Sequence, residues 1–269
     1  MTMIGLVIAM LLTGAVGGVL AGLLGIGGGI VIVPMLDVAL SFIGVDASIR
    51  MHIAVATSLA TIIPTSISSA RAHYQRQSVD VPVIRYWSPW IVVGAVLGIL
   101  IAANVSAEFL AGVFAIVAIA VAAKMMLPLD ELNLANDVPR GLLGRIIPIV
   151  IGAISTLMGI GGGTLSVTAM TLTGKAIHLA VGTAAVFGFF IAVPATIGYI
   201  ISGWNNPLLP AGSLGYVNVI GFVIIASTTV LFAPLGAKIA HALPRRQLAI
   251  LFGLFLAVVA VRMSFRAFA

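Results

Sequence analysis

Apolar runs long enough to cross a bilayer recur along this chain, and they limit its fold more than any other feature. Ile91–Ala103 and Leu248–Val261 contain no charged residue at all. A helix needs about 18 or more mostly apolar residues to cross ~30 Å of hydrocarbon. A β-barrel would instead alternate polarity in segments of about ten residues. Continuous apolar runs therefore point to helices, which satisfy their backbone polar groups internally. Only 7% of the 269 residues are charged and 61% are hydrophobic, against roughly 25% charged in soluble domains. The sequence reads as an all-α, polytopic integral membrane protein of the cell membrane, a bacterial inner membrane being the simplest setting.

The net charge of +6 would suggest nucleic acid in a soluble protein. Here the basic residues sit in short loops between apolar runs and are not interleaved with aromatics, so they read as orientation signals. No cysteine is present, which removes thiolate metal sites, disulfides and cysteine catalysis. No H-E-x-x-H or Walker motif occurs, and no Ser–His or paired-Asp constellation falls at membrane depth. An enzyme, a cofactor and a metal site are not expected. Met1–Leu24 lacks a basic leader and a small-residue cleavage site, and reads as part of the mature protein.

The chain repeats itself once. Gly25-Ile26-Gly27-Gly28-Gly29 recurs as Gly159-Ile160-Gly161-Gly162-Gly163, and His52-Ile53-Ala54-Val55-Ala56-Thr57 as His178-Leu179-Ala180-Val181-Gly182-Thr183. One duplication is the usual plan of secondary transporters. Each half reads as a broken apolar segment followed by three continuous ones. The first membrane repeat is assigned to residues 1–126, a polar cytoplasmic linker to 127–145 and the second repeat to 146–269.

Four glycines in five residues break a helix, since each costs about 1 kcal/mol relative to Ala. If the chain turns back at each break, the halves insert in opposite orientations. If it continues as one interrupted helix, they insert alike. With Arg71–Arg85 inside, turning back places ten basic residues inside and three outside, whereas continuing gives eight and five. The positive-inside rule favours two inverted repeats, each a glycine-containing helical hairpin plus three transmembrane helices. Both termini are then external, and Arg71–Arg85, Leu127–Gly144 and Lys238–Arg246 cytoplasmic.

With these motifs in hand, the chain resembles the sulfite exporter TauE/SafE (TSUP) family. Val33-Pro34-Met35 follows the first glycine motif, and His52–Leu59 is similar to the family's H-x-A-x-G-T-S-L stretch. Ala70–Asp80 is similar to its A-x-x-H-Y-x-R-G-x-V-D loop, and Ala233-Pro234-Leu235-Gly236-Ala237 through Leu243-Pro244 to a further family stretch. Ala56 and Gln77 stand where the family usually has Gly. The resemblance implies movement of sulfite, thiosulfate, sulfonates or other organic anions.

The glycine motifs are the leading candidate site. Irregular backbone at membrane depth is tolerated only where it is buried in protein or lines a cavity. Gly27, Gly28 and Gly29, with Gly161, Gly162, Gly163 and Thr164, would present free amides and helix N-termini to an anion. The alternative is close helix packing. Thr57 and Ser58, with Thr183 as the counterpart of Thr57, have hydroxyls able to donate to an oxyanion or to their own backbone carbonyls. His52 and His178 would carry a coupling proton or anchor helix starts. Arg50 and Lys175 would concentrate anions at the two mouths or snorkel. No carboxylate is placed at the midplane, which argues against a cation carrier.

The reading is a secondary carrier of a small anion working by alternating access, with a passive anion channel or a non-transporting scaffold as alternatives. Its expected partners are the anion, the lipid bilayer and a coupling proton or sodium ion.

Overall fold

A computed structural model describes residues 3–24, 28–126, 137–242 and 245–268. The first half contains α1 (Met3–Leu24), α2 (Gly29–Phe42), α3 (Ala47–Gln75), α4 (Val81–Ala102) and α5 (Ala107–Met126). The second contains α6 (Gly141–Met158), α7 (Gly163–Leu172), α8 (Ile177–Gly203), α9 (Val219–Ala242) and α10 (Arg245–Phe268). A two-stranded antiparallel ribbon, β1 (Ser213–Leu214) with β2 (Val217–Asn218), lies between α8 and α9. Among the described residues, six helices are long and apolar enough to cross a membrane, and four shorter apolar stretches accompany them.

The glycine breaks behave as hairpin turns. α1 packs on α2 and α6 on α7. A Cβ built at Gly17 of α1 would meet the Ile32 side chain of α2 at 3.2 Å, so the chain has doubled back. α6 begins at Gly141 rather than near Ile146 as expected. Pro139 disfavours a helical conformation at the residue before it, Arg140 is extended and Gly141 holds φ +74°, so the helix starts at Gly141.

Packing partners exchange between the halves. α1 lies along α9 as α6 lies along α4, while α3 packs on α8 and α5 on α10. Gly14 of α1 abuts Ile225 and Thr228 and Gly18 abuts Thr229 and Phe232, so α1 and α9 run parallel. Gly94 against Ile149 and Gly98 against Ala153 give α4 and α6 the same relation. Small residues let these backbones close without a Cβ between them, which is how helices associate where lipid supplies no hydrophobic drive.

Equivalent helices of the two halves instead cross head to tail. Gly188 of α8 faces Ser66 of α3, whereas Gly182 faces His73 and Ser78. Gly112 of α5 lies by Ala267 of α10, and Gly253 by Met126. Equivalent helices of the two halves therefore run antiparallel where they meet. α3 is the most enclosed span: every residue from Met51 to Ile62 is buried.

Candidate functional site

The two glycine turns converge. Gly28 caps α2 with φ 64° and Gly162 caps α7 with φ 74°, a left-handed backbone that a side chain resists. A Cβ at Gly29 would lie 2.5 Å from the Gly159 carbonyl oxygen and 2.8 Å from Ile160 Cα. Only glycine allows the first hairpin to seat directly on the backbone of the second. Ser58 ties the same place to α3, donating to the Gly159 carbonyl at 2.7 Å. Gly27 lies outside the described residues.

A cavity of about 50 Å³ lies beside this junction. Ile160, Gly161 and Gly163 of the second turn form one wall, Ile62, Thr65, Ser66 and Ser69 of α3 another, and Val181, Ala184 and Gly188 of α8 a third. None of its lining residues is charged. Thr65, Ser66 and Ser69 were not singled out from the sequence. The signal was present: Ser58, Ile62, Thr65 and Ser69 recur at intervals of four, three and four, which is one helix face. Thr164 is buried but is not among the lining residues.

Thr57 and Thr183, paired by the repeat, have matched surroundings. The Asn218 backbone N–H donates to Thr57 Oγ1 at 3.0 Å, and the Asp80 N–H donates to Thr183 Oγ1 at 2.8 Å. Both hydroxyls are fully buried. Asn218 and Asp80 in turn cap the next helix of their own half. Asn218 Oδ1 accepts from the Gly221 N–H at 2.7 Å, and Asp80 Oδ1 from the Val83 N–H at 3.2 Å. Each half thus fastens the loop before its fourth helix to the core helix of the other half. The Ser213–Asn218 ribbon does this at the N-terminal end of α3 and the 76–80 loop at the N-terminal end of α8. Gly182 accommodates the Ser78 carbonyl, which leaves no room for a Cβ; its counterpart Ala56 is buried and carries one.

The paired histidines have diverged. His52 is buried, its Nε2 3.2 Å from the Ala102 carbonyl and its ring stacked on Tyr216 with centroids 5.0 Å apart. Tyr216 also meets the fully buried Tyr199 edge-on, so aromatic rings seal this end. His178 is exposed. Arg50 is directed to Asp37, 3.6 Å away, and Arg262 and Arg266 approach the same carboxylate at 3.8 Å each. The Asp37 side chain is only 2% exposed. Lys175 bridges Asp80 at 2.9 Å and Asp137 at 3.0 Å. These contacts push the Lys175 ammonium above its ordinary range, the Asp80 hydrogen bond most strongly. The Asp137 carboxyl is held below its own range, chiefly by Lys175. Among the described residues no cluster of three or more His, Asp or Glu is arranged to hold a metal ion.

Comparison with known proteins gives this architecture a family. A probable membrane transporter protein of Haemophilus influenzae is 37% identical over 253 residues, covering 94% of this chain and 96% of that protein. The probable membrane transporter protein YunE of Bacillus subtilis is 29% identical over 74% of this chain and 80% of its own length. A further probable membrane transporter protein, from Methanocaldococcus jannaschii, is 26% identical over 94% of each chain. No solved structure matches. The family model for sulfite exporter TauE/SafE matches residues 10–263. Together with the converging glycine hairpins and the membrane-spanning helices around them, this match establishes that the chain is a multi-pass membrane transporter of the sulfite exporter TauE/SafE family.

Proposed function

We propose that the protein is a secondary carrier of a small sulfur-containing or organic anion, and that two inverted repeats give that anion alternating access to the two faces. The observation that carries this reading is the meeting of two left-handed glycine turns, one from each half, beside a cavity without charged walls. Backbone amides and helix N-termini are the groups such a turn offers, and they suit an anion. The antiparallel crossing of α3 on α8 and of α5 on α10 supports the inversion.

The matched fastenings suggest the gates. One is the Thr57–Asn218 contact with its aromatic seal, placed at the external end by the basic-residue distribution. The other is the Thr183–Asp80 contact with the Lys175 bridge, at the cytoplasmic end. The cavity extends from Gly161 toward Ser69 and Val181, on the cytoplasmic side of the glycine junction. Moving the substrate outward requires closing that side and releasing the ribbon from α3. Proton or sodium coupling belongs to the same proposal.

Counterflow in proteoliposomes tests the carrier reading. Vesicles preloaded with unlabelled sulfite or a short alkyl sulfonate should accelerate entry of the labelled anion, and flux should saturate. Flux that is linear in concentration and indifferent to internal anion would instead identify a channel.

A further inference from the structure

The carrier reading leaves open which groups hold the anion and what charge it bears. Of the buried hydroxyls without a partner among the described residues, two meet at the second glycine turn. Ser155 of α6 and Ser166 of α7 are both fully buried, and neither hydroxyl has a hydrogen-bond partner among the described residues. Their backbones build the turn: the Ser155 carbonyl accepts from the Gly159 and Ile160 N–H groups, and the Ser166 N–H donates to the Gly162 carbonyl at 2.8 Å. Their hydroxyls flank Gly162. A Cβ at that glycine would stand 3.4 Å from Ser155 Oγ and 3.6 Å from Ser166 Oγ. An unpartnered buried hydroxyl is costly, and two of them facing one glycine form a cradle that awaits acceptor atoms. The flexible end of the Ile191 side chain covers it, and the uncharged cavity begins at the adjoining Gly161 and Gly163.

The serines have no hydroxyl counterpart in the first half of the sequence. By the 134-residue offset, Ser155 and Ser166 correspond to Ala21 and Ile32. The two unpartnered hydroxyls beside Gly162 therefore come from the second repeat, while α3 of the first repeat supplies Thr65, Ser66 and Ser69 to the adjoining cavity wall. No cationic side chain lines the cavity. The positive potential at the cradle is that of the α7 N-terminus, about half an elementary charge, which suits one negative charge better than two. The self-energy cost of burying an ion rises with the square of its charge, so a dianion would cost roughly four times as much to bury, with no counter-charge to offset it.

We propose that the second glycine turn binds a small monovalent oxyanion, with Ser155 and Ser166 donating hydrogen bonds to its oxygens. This rests on the carrier reading above. Ile191 swings aside as the anion enters, and the α7 N-terminus faces the bound charge.

Binding of methanesulfonate and of sulfate to the purified, detergent-solubilised protein tests this by titration calorimetry. The two probes are similar in size and differ in charge. Wild type should bind methanesulfonate at least tenfold more tightly than sulfate. The double variant Ser155→Ala/Ser166→Ala should lose methanesulfonate affinity by tenfold or more while its melting temperature without anion stays unchanged or rises, because only an unpartnered hydroxyl has been removed. Equal binding of both probes overturns the monovalent assignment. Undiminished affinity in the double variant overturns the serine assignment. If Gly162→Leu then still abolishes binding, the glycine-turn reading survives that failure. Failure of folded wild type to bind either probe overturns both.

Discussion

Gln77 holds φ at +56°, the only non-glycine among the described residues with a positive φ. It is also the position where the family loop has Gly, so the departure from pattern is a point of backbone strain of about 1 kcal/mol. Gln77→Gly should raise stability by roughly 0.5–1 kcal/mol, read as a higher midpoint in thermal unfolding, since glycine takes this conformation without steric penalty. Thr57 and Thr183 make a second case. Replacing either by Val keeps the shape but strips the acceptor from a backbone N–H, that of the buried Asn218 or of the half-buried Asp80. Each variant should lose about 1–3 kcal/mol of stability. Comparable loss in both would show that the two fastenings are equivalent. Unchanged melting in either would show that its hydroxyl is free to serve the anion instead. The repeat paired these threonines in the sequence, but their partners sit in loops 161 and 103 residues away along the chain and could not be read from it.

At the scale of elements, the glycine motifs were legible because four glycines in five residues permit nothing regular, and the duplication showed that the break mattered twice. What the sequence could not supply was their contact. Gly29 touches Gly159 and Ile160 across 130 residues, and no periodicity encodes such a pairing. Gly29→Ala introduces a Cβ against backbone atoms that cannot rotate away. It should abolish anion counterflow, and lower stability by about 1–3 kcal/mol through overpacking; wild-type flux would show that the turns need not touch. The ribbon Ser213–Asn218 is not legible in the sequence, because an uncharged, glycine-rich stretch reads as a plain loop. The Lys175 bridge adds a pH dependence. Its raised lysine contributes stability that is complete below the ordinary lysine pKa and disappears as pH rises through the shifted value. The lowered Asp137 contributes stability above the ordinary aspartate pKa that disappears as pH falls through its shifted value. Asp137 is exposed and Lys175 partly so, so the bridge is worth about 1 kcal/mol or less. Lys175→Ala should flatten both limbs of the melting-temperature profile; an unaltered profile would assign them to other groups.

The whole molecule is arranged around α3 and α8, which cross head to tail, each capped at its N-terminal end by a loop of the opposite half. Hydropathy and charge in the sequence were enough to identify a helical membrane protein, because lipid permits few ways to satisfy a backbone. The basic residues were enough to prefer inversion over parallel insertion. The buried Asp37 carboxylate and the arginines that approach it, Arg50, Arg262 and Arg266, are not legible in the sequence. Asp37 has no acidic counterpart in the repeat, and two of its partners lie at the far end of the chain. The position of the cavity, on the Ser69 side of the glycine junction, was likewise beyond a one-dimensional reading. In the proposed orientation, that position corresponds to a molecule closed toward the outside and approachable from the cytoplasm. Because the chain has no cysteine, a single Ser69→Cys reports on it without background. The most direct measurement is the rate at which that cysteine reacts with a membrane-impermeant maleimide from each face of oriented vesicles, with and without methanesulfonate. Reaction from the cytoplasmic face, slowed by the anion, is the predicted result; reaction from the external face alone, or equal rates from both faces indifferent to the anion, would contradict it.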